Sequence, residues 1–257
     1  MRLIHWAGDS TNTANKAHKY PQTGIAQAFD RYTAADVVIY DHAVNGRSTK
    51  SFIDQGRLDT IAEEIREGQF LFIQFGHNDE KEEDPLRYTH PDGDFIDNLG
   101  RFAEVARSRG AHPLFLTPVE RRLFLEDGRT LRSPSAHEPY VAGYREAAGR
   151  FGVPLVDAWS RSRECLTRLG DAGSVRFFMH LQPGESMVCP GGQKDDTHLK
   201  YEGAMLFGRL IAEEIRKLPP NYASLVDEEV LKELTTQDAI RETGGSFPEE
   251  TPNEDET

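Results

Sequence analysis

The sequence predicts an α/β fold, a three-layer α/β/α sandwich built on a five-stranded parallel sheet. Three observations carry that expectation: five short, almost wholly apolar runs, amphipathic helical stretches between them, and glycines at two of the helix-to-strand joints. The runs are Leu3 to Trp6, Asp36 to Tyr40, Phe70 to Phe75, Pro113 to Thr117 and Val153 to Val156. None alternates polar with apolar as a half-wet strand does, so each reads as a strand covered on both faces. Leu58, Ile61, Ala62 and Ile65 recur at i, i+3, i+4 and i+7, which is one face of a helix. Similar stretches span about Phe95 to Arg107, Val141 to Phe151 and Glu202 to Lys217. Gly110 and Gly152 stand where a helix commonly closes through a left-handed residue.

Composition bounds the function. The 257-residue chain is 37% apolar and 28% charged, an ordinary globular balance that can bury a full core. A net charge of −13 argues against nucleic acid or an anionic membrane as partner, since both repel an acidic surface. No apolar stretch approaches the roughly 18 residues of a membrane span. Gly8-Asp9-Ser10 interrupts the first apolar run before a signal segment forms, so the expected location is cytoplasmic. The two cysteines, Cys165 and Cys189, have no metal-ligand spacing; free thiols in a reducing compartment are expected, a disulfide being the alternative.

Two long polar segments, Glu80 to Asp94 and Gly170 to Lys194, interrupt the rhythm and are expected to wall a binding cleft. Residues 1–220 read as one domain and 221–257 as a C-terminal extension, whose acidic tail from about Glu242 should be disordered.

Chemistry gathers where the apolar runs end. The first breaks into Gly8-Asp9-Ser10, the second leads to Asn45-Gly46-Arg47-Ser48, the third to Gly76-His77-Asn78-Asp79, and Asp195-Asp196-Thr197-His198 precedes the last helix. In a doubly wound sheet these loops share one edge. Acyl transfer needs that set of parts. Ser10 is the candidate nucleophile and His198 the base that activates it, while Asp195 orients the imidazole. The backbone N–H groups of Ser10 and Gly46 and the Asn78 amide are candidate oxyanion donors. Because the imidazole must be neutral to take the Ser10 proton, turnover should fall at acid pH. Each piece alone has a plainer reading: Gly-Asp-Ser as a helix cap, Asn-Gly as a turn, His198 as a helix-start residue. Their occurrence together, in order and at strand ends, favours catalysis.

These blocks resemble those of the SGNH (GDSL-type) hydrolases over roughly residues 1 to 218, and within that superfamily the rhamnogalacturonan acetylesterases. The stretches Gly8 to Thr11, Ala43 to Ser48, Phe75 to Asp79, Thr117 to Arg122, and Pro183-Gly184-Glu185 running into Asp195 to His198 are similar to that group. The resemblance implies a flavodoxin-like sheet and a Ser10–His198–Asp195 mechanism without cofactor or metal. It also implies removal of acetyl groups from pectin-derived oligosaccharides. No Gly-x-Ser-x-Gly elbow is present, which disfavours the α/β-hydrolase fold. A uronate carboxylate suits a bidentate arginine, so Arg47, Arg121 and Arg122 are candidate substrate contacts, their alternative being salt bridges to the acidic loops. His77 is a further candidate contact, or a residue one layer behind the chemistry.

Rival readings stay open on sequence grounds. One is an esterase, lipase or thioesterase for another acyl ester; the polar long loops argue against an acyl-chain tunnel. A second is a catalytically silent carbohydrate-binding relative, which the complete Ser10, Asn78, Asp195 and His198 set disfavours. A third is a metal site from His180, Asp195, Asp196 and His198, which lack a helix-face ligand spacing. Trp159 and His180 could flank a cleft, whereas Phe177, Phe178 and Met179 read as packing. Oligomeric state is not written in the sequence.

Overall fold

A computed structural model describes residues 1–233. Its strands are β1 (Arg2–Gly8), β2 (Val37–Asp41), β3 (Phe70–Gln74), β4 (His112–Leu116) and β5 (Leu155–Val156). They form one sheet in the order β2-β1-β3-β4-β5, with every pair parallel. The α/β sandwich read from the sequence is therefore the fold. The fifth strand is shorter than expected: Val153 gives its N–H to Ala148 at the end of the preceding helix, and Pro154 has none to give.

Each strand sends alternate side chains to opposite faces. Phe70 and Phe72 of β3 enter one core cluster, Leu71 and Ile73 the other. The first cluster is covered by α1 (Ile25–Ala28), α6 (Ala158–Ser174) and α7 (Tyr201–Ile215). At its centre Trp6 meets the rings of Phe29 and Phe72 edge-on, each at 5.2 Å. The second cluster lies under α2 (Thr49–Asp54), α3 (Arg57–Glu64), α4 (Asp94–Ser108) and α5 (Glu138–Phe151). Gly110 and Gly152 follow α4 and α5 with φ of +71° and +61°, as expected of helix-closing glycines.

Among the helices that lie outside the periodic stretches are α2 and α6. α2 is six residues long, too short for a periodic signature, and is set by a reciprocal cap between Ser48 and Ser51. α6 begins at Asp157, whose carboxylate accepts the Ser160 N–H. It breaks at Gly170 (φ 65°, ψ 179°) and resumes to Ser174, followed by a 3-10 turn over Val175–Phe177. The first third of the expected Gly170–Lys194 loop is thus helical. Phe177, Phe178 and Met179 are buried, in keeping with a packing role.

The chain continues through α8 (Pro220–Ala223) and α9 (Glu228–Glu233). Tyr222, Leu225 and Val226 belong to the first core cluster, and the Tyr222 hydroxyl donates to the Pro113 carbonyl at 2.9 Å. Residues just past 220 therefore pack as part of the sandwich rather than apart from it. The acidic tail from Glu242 lies outside the described residues. Cys165 and Cys189 are free thiols, and burial pushes the Cys165 thiol up to about 12. Among the described residues no helix is long and apolar enough to cross a membrane.

Close approach of backbone to backbone gives a stability test. A Cβ on Gly203, in the first turn of α7, would sit 2.1 Å from the Phe177 carbonyl oxygen; one on the exposed Gly149 of α5 would meet nothing within 4 Å. Gly203→Ala is expected to cost about 1–3 kcal/mol. Gly149→Ala should stabilise by up to about 1 kcal/mol. Chemical denaturation of the two variants checks the opposite signs.

Candidate active site

The strand order reverses between β1 and β3, and open α/β sheets form their crevice at that point, beyond the strand ends. Ser10 follows β1 and Asn78 follows β3, so the two stand on either side of it. The loop after β2 is drawn to the same edge because the Val44 N–H donates to the Gly8 carbonyl at 3.1 Å. Behind it the half-buried Asp41 carboxylate accepts the Ala43 and Ala14 N–H groups. Burial pushes the Asp41 carboxyl up to about 6 against those two bonds.

His198 arrives from 188 residues away. Its Nε2 lies 2.9 Å from Ser10 Oγ, and its Nδ1 lies 2.7 Å from Asp195 Oδ2. Asp195 also accepts the backbone N–H groups of Thr197 (2.8 Å) and His198 (3.0 Å), and the Gln193 amide at 3.2 Å. Burial works against its charge, but the hydrogen bonds from the His198 side chain and backbone hold Asp195 well below the usual carboxylate range. An ionised Asp195 accepts the hydrogen bond of Nδ1–H, which keeps the proton on Nδ1 and leaves the Nε2 lone pair facing the Ser10 hydroxyl.

Opposite that pair lie the expected donors. Gly46 has a φ of +77°, a left-handed backbone that suits glycine. The Asn78 amide donates to the Arg47 carbonyl at 3.0 Å, which sets it against the Gly46–Arg47 turn. Its own carbonyl oxygen accepts from Arg87 at 3.2 Å, so the NH2 group faces that turn. Among the described residues, the Ser10 and Gly46 N–H groups donate to no protein acceptor.

The substrate-contact expectations fare unevenly. Arg122 is buried; it pairs with Asp171 and, at 2.5 Å, with Asp196, whose same oxygen is 2.7 Å from His180 Nε2. It braces the loop that carries Asp195 and is closed to a substrate, which corrects its assignment as a contact. Arg121 pairs with Glu80 at 2.8 Å and donates to the His77 carbonyl. For both arginines the acidic-loop salt bridge is what the fold builds. His77 is also buried, 3.4 Å from Asp9 Oδ2 and edge-on to His137 at 4.4 Å. Burial first, then His137, lowers His77 to about 4 while Asp9 pulls the other way, so it is a neutral prop behind Ser10 and not a contact. Arg47 differs. It donates to Gln55 (3.0 Å) and Asn45 (2.7 Å) and has no carboxylate partner among the described residues.

His180, Asp195, Asp196 and His198 divide into two hydrogen-bonded pairs. Trp159 does not flank the crevice: its indole N–H donates to the buried Glu120, which also accepts Arg163 and Ser135. A cavity of about 640 Å³ opens beside Arg121, but Ser10, Asn78 and His198 do not line it. Sequence reasoning missed Arg87, Gln193 and Glu120. Each acts through a long side chain that leaves no periodic mark.

A flavodoxin-like parallel sheet with a serine, histidine and aspartate in hydrogen-bonded series at its switch point defines a class, the serine hydrolases of SGNH architecture. The match is to the GDSL-like Lipase/Acylhydrolase family over residues 7–203, and the chain belongs to that family. It is 39% identical over 215 residues to the rhamnogalacturonan acetylesterase RhgT of Bacillus subtilis, covering 84% of this chain and 90% of that one. Among solved structures, it superposes on the YxiM protein of Bacillus subtilis with a TM-score of 0.68 at 21% identity. That match covers 84% of this chain and 56% of the longer YxiM chain. It also superposes on the acetylxylan esterase Axe2 of Geobacillus stearothermophilus with a TM-score of 0.58 at 15% identity, over 83% and 93% of the two chains.

Asp79, the residue after Asn78, is buried. Its Oδ1 accepts the Thr49 N–H (3.0 Å), the Thr49 hydroxyl (2.5 Å) and the Thr89 hydroxyl (3.0 Å), while Oδ2 has no partner among the described residues. Burial pushes this carboxyl up to about 7, against those hydrogen bonds. The folded acid keeps its proton to near that pH, whereas the unfolded one releases it near 4. Its contribution to stability is therefore full below about pH 4 and lost as the pH rises towards 7. Asp79→Asn keeps an Oδ1 acceptor but does not titrate. It is expected to flatten the fall in Tm between pH 5 and pH 8, and an unchanged fall would count against this reading.

Proposed function

We propose that the chain is a serine acetylesterase that removes acetyl groups from uronate-containing oligosaccharides of the rhamnogalacturonan type. The observation that carries the proposal is the unbroken series Asp195–His198–Ser10, at 2.7 and 2.9 Å, beside the Asn78 amide and two backbone N–H groups that have no protein acceptor among the described residues. The resemblance to enzymes named as rhamnogalacturonan acetylesterases supports the substrate class.

In this reading Ser10 Oγ attacks the acetyl carbonyl carbon as His198 Nε2 takes the hydroxyl proton. Negative charge collects on the former carbonyl oxygen, where the Ser10 and Gly46 N–H groups and Asn78 Nδ2 stabilise it. The intermediate collapses by breaking the bond to the sugar oxygen, which receives the proton from His198. Water then repeats the sequence on the acetyl-serine and releases acetate. Asp195 orients the imidazole and balances its transient charge. No step uses a metal or cofactor.

The acetyl group is small, and the crevice is rimmed by polar loops, which suits a sugar rather than a long acyl chain. In this reading Arg47 meets the uronate carboxylate, which is supported by the pairing of Arg121 with Glu80 and of Arg122 with Asp171 and Asp196.

Acetate release from acetylated rhamnogalacturonan and xylan oligosaccharides tests the reading, with long-chain p-nitrophenyl esters as controls. Ser10→Ala should abolish both turnover and labelling by a serine-directed fluorophosphonate. Asn78→Ala should lower kcat by about 100- to 1,000-fold with little change in KM. Arg47→Ala should raise KM for the acidic oligosaccharide and leave a neutral one unchanged. Preference for long acyl chains, or equal losses on both sugars, would overturn the substrate assignment while leaving the mechanism intact.

A further inference from the structure

On the face of the sheet covered by α3, three side chains from separate elements converge. His5 lies in the middle of β1, His42 follows β2, and Glu64 is the last residue of α3. One donor atom from each, His5 Nδ1, His42 Nε2 and a Glu64 carboxylate oxygen, fall within 4.8 Å of one another. The two imidazole nitrogens are 2.9 Å apart, and His42 Nε2 is 3.8 Å from Glu64 Oε2. We propose that these residues form a divalent transition-metal site, of the class that zinc fills, with two imidazoles, one carboxylate and water as ligands.

Four features carry the assignment. The first is the fixed tautomer of His5. Gln69 Oε1 accepts the Arg66 backbone N–H at 2.8 Å, so it is the oxygen and not the amide nitrogen that faces His5 Nε2 at 3.0 Å. His5 Nε2 therefore carries the proton, and the Nδ1 lone pair points at His42. A hydrogen-bond acceptor on the far nitrogen of a metal-binding imidazole is the usual way its free nitrogen is aimed.

The second is the charge facing the rings: the Glu64 carboxylate lies 3.8 Å from His42 Nε2. The Arg66 side chain, the nearby cation, turns its guanidinium to the Glu63 and Ile65 carbonyls.

The third is spacing. The ring centroids stand 5.1 Å apart, and two imidazoles on a tetrahedral ion with Zn–N bonds of about 2.05 Å take a separation of about 5 Å. A rotation of the His42 ring, with its proton passing to Nδ1, turns the N–H···N contact into two nitrogens on one ion. The fourth is access. His5 is 2% exposed, but nearly half of the Glu64 carboxylate side chain is open to solvent, which gives the ion an entry path and room for water.

Such an ion would tie β1, the exit of β2 and the end of α3 together. Its stems lead to Ser10 and Gly46, yet His5 is five residues before Ser10, about 16 Å along an extended strand. Its effect is therefore on rigidity and not on the reacting atoms.

Chelator-stripped protein titrated with zinc chloride tests the site by calorimetry and thermal unfolding, with Co2+ absorption reporting coordination. Wild type should take up one ion per chain and gain about 5–10 °C in Tm at a hundredfold excess over Kd. His42→Ala and the exposed, size-preserving Glu64→Gln should each weaken binding by at least about tenfold, and His198→Ala should not. Failure of wild type to bind micromolar zinc would overturn the proposal and leave a hydrogen-bonded histidine pair. So would wild-type affinity in either His42→Ala or Glu64→Gln, or loss of binding in His198→Ala.

Discussion

Everything at the candidate site depends on the parallel pairing of β1 with β3. The two strands run in register from Ile4 with Phe70 to Gly8 with Gln74, and the chain departs from them in opposite directions. That divergence leaves a crevice no crossover can fill. Polar residues at its rim keep partial access to water, while the strands beneath lie in one of the driest parts of the molecule. The arrangement places a serine hydroxyl, a carboxamide and a glycine turn together without a dedicated active-site domain.

Under that rim lies a buried polar layer. Asp9 accepts Thr11, His77 stands between Asp9 and His137, and His137 meets Glu80, which holds Arg121. On the other flank Arg122 joins Asp171 and Asp196. Desolvating so many charges is costly unless nearly every one is matched. The matching makes the loops that bear Ser10, Asn78 and His198 interdependent. Charge here positions; it does not recruit substrate. Two of the arginines that look like ligands for an acid are struts instead.

The fold was legible because parallel strands covered on both faces read as continuous apolar runs, and Phe70 to Phe75 needs little else. Legible too were the candidate residues at the switch point, since Ser10, Gly46 and Asn78 each follow an apolar run and His198 shortly precedes α7. What stayed hidden depended on partners distant in sequence. Nothing local distinguishes Arg122, locked between two aspartates, from Arg47, which has no carboxylate partner among the described residues. The short helix α2 was lost for want of length. Its Ser48–Ser51 cap lacks the acidic third residue that makes such a box conspicuous. Tyr222, Leu225 and Val226 are too sparse in sequence to form a pattern, though all three pack into the first core cluster.

Gly46 has a consequence for how such a site can evolve. Its positive φ sets the conformation of the turn, yet a Cβ there would touch nothing within 4 Å. The position is guarded by torsional preference and not by crowding. Residues that visit the left-handed region with modest penalty, asparagine and aspartate foremost, are therefore admissible in shape. Drift at this turn is thus a graded exchange between backbone entropy and catalytic geometry, whereas a tightly packed glycine such as Gly203 allows no intermediate steps.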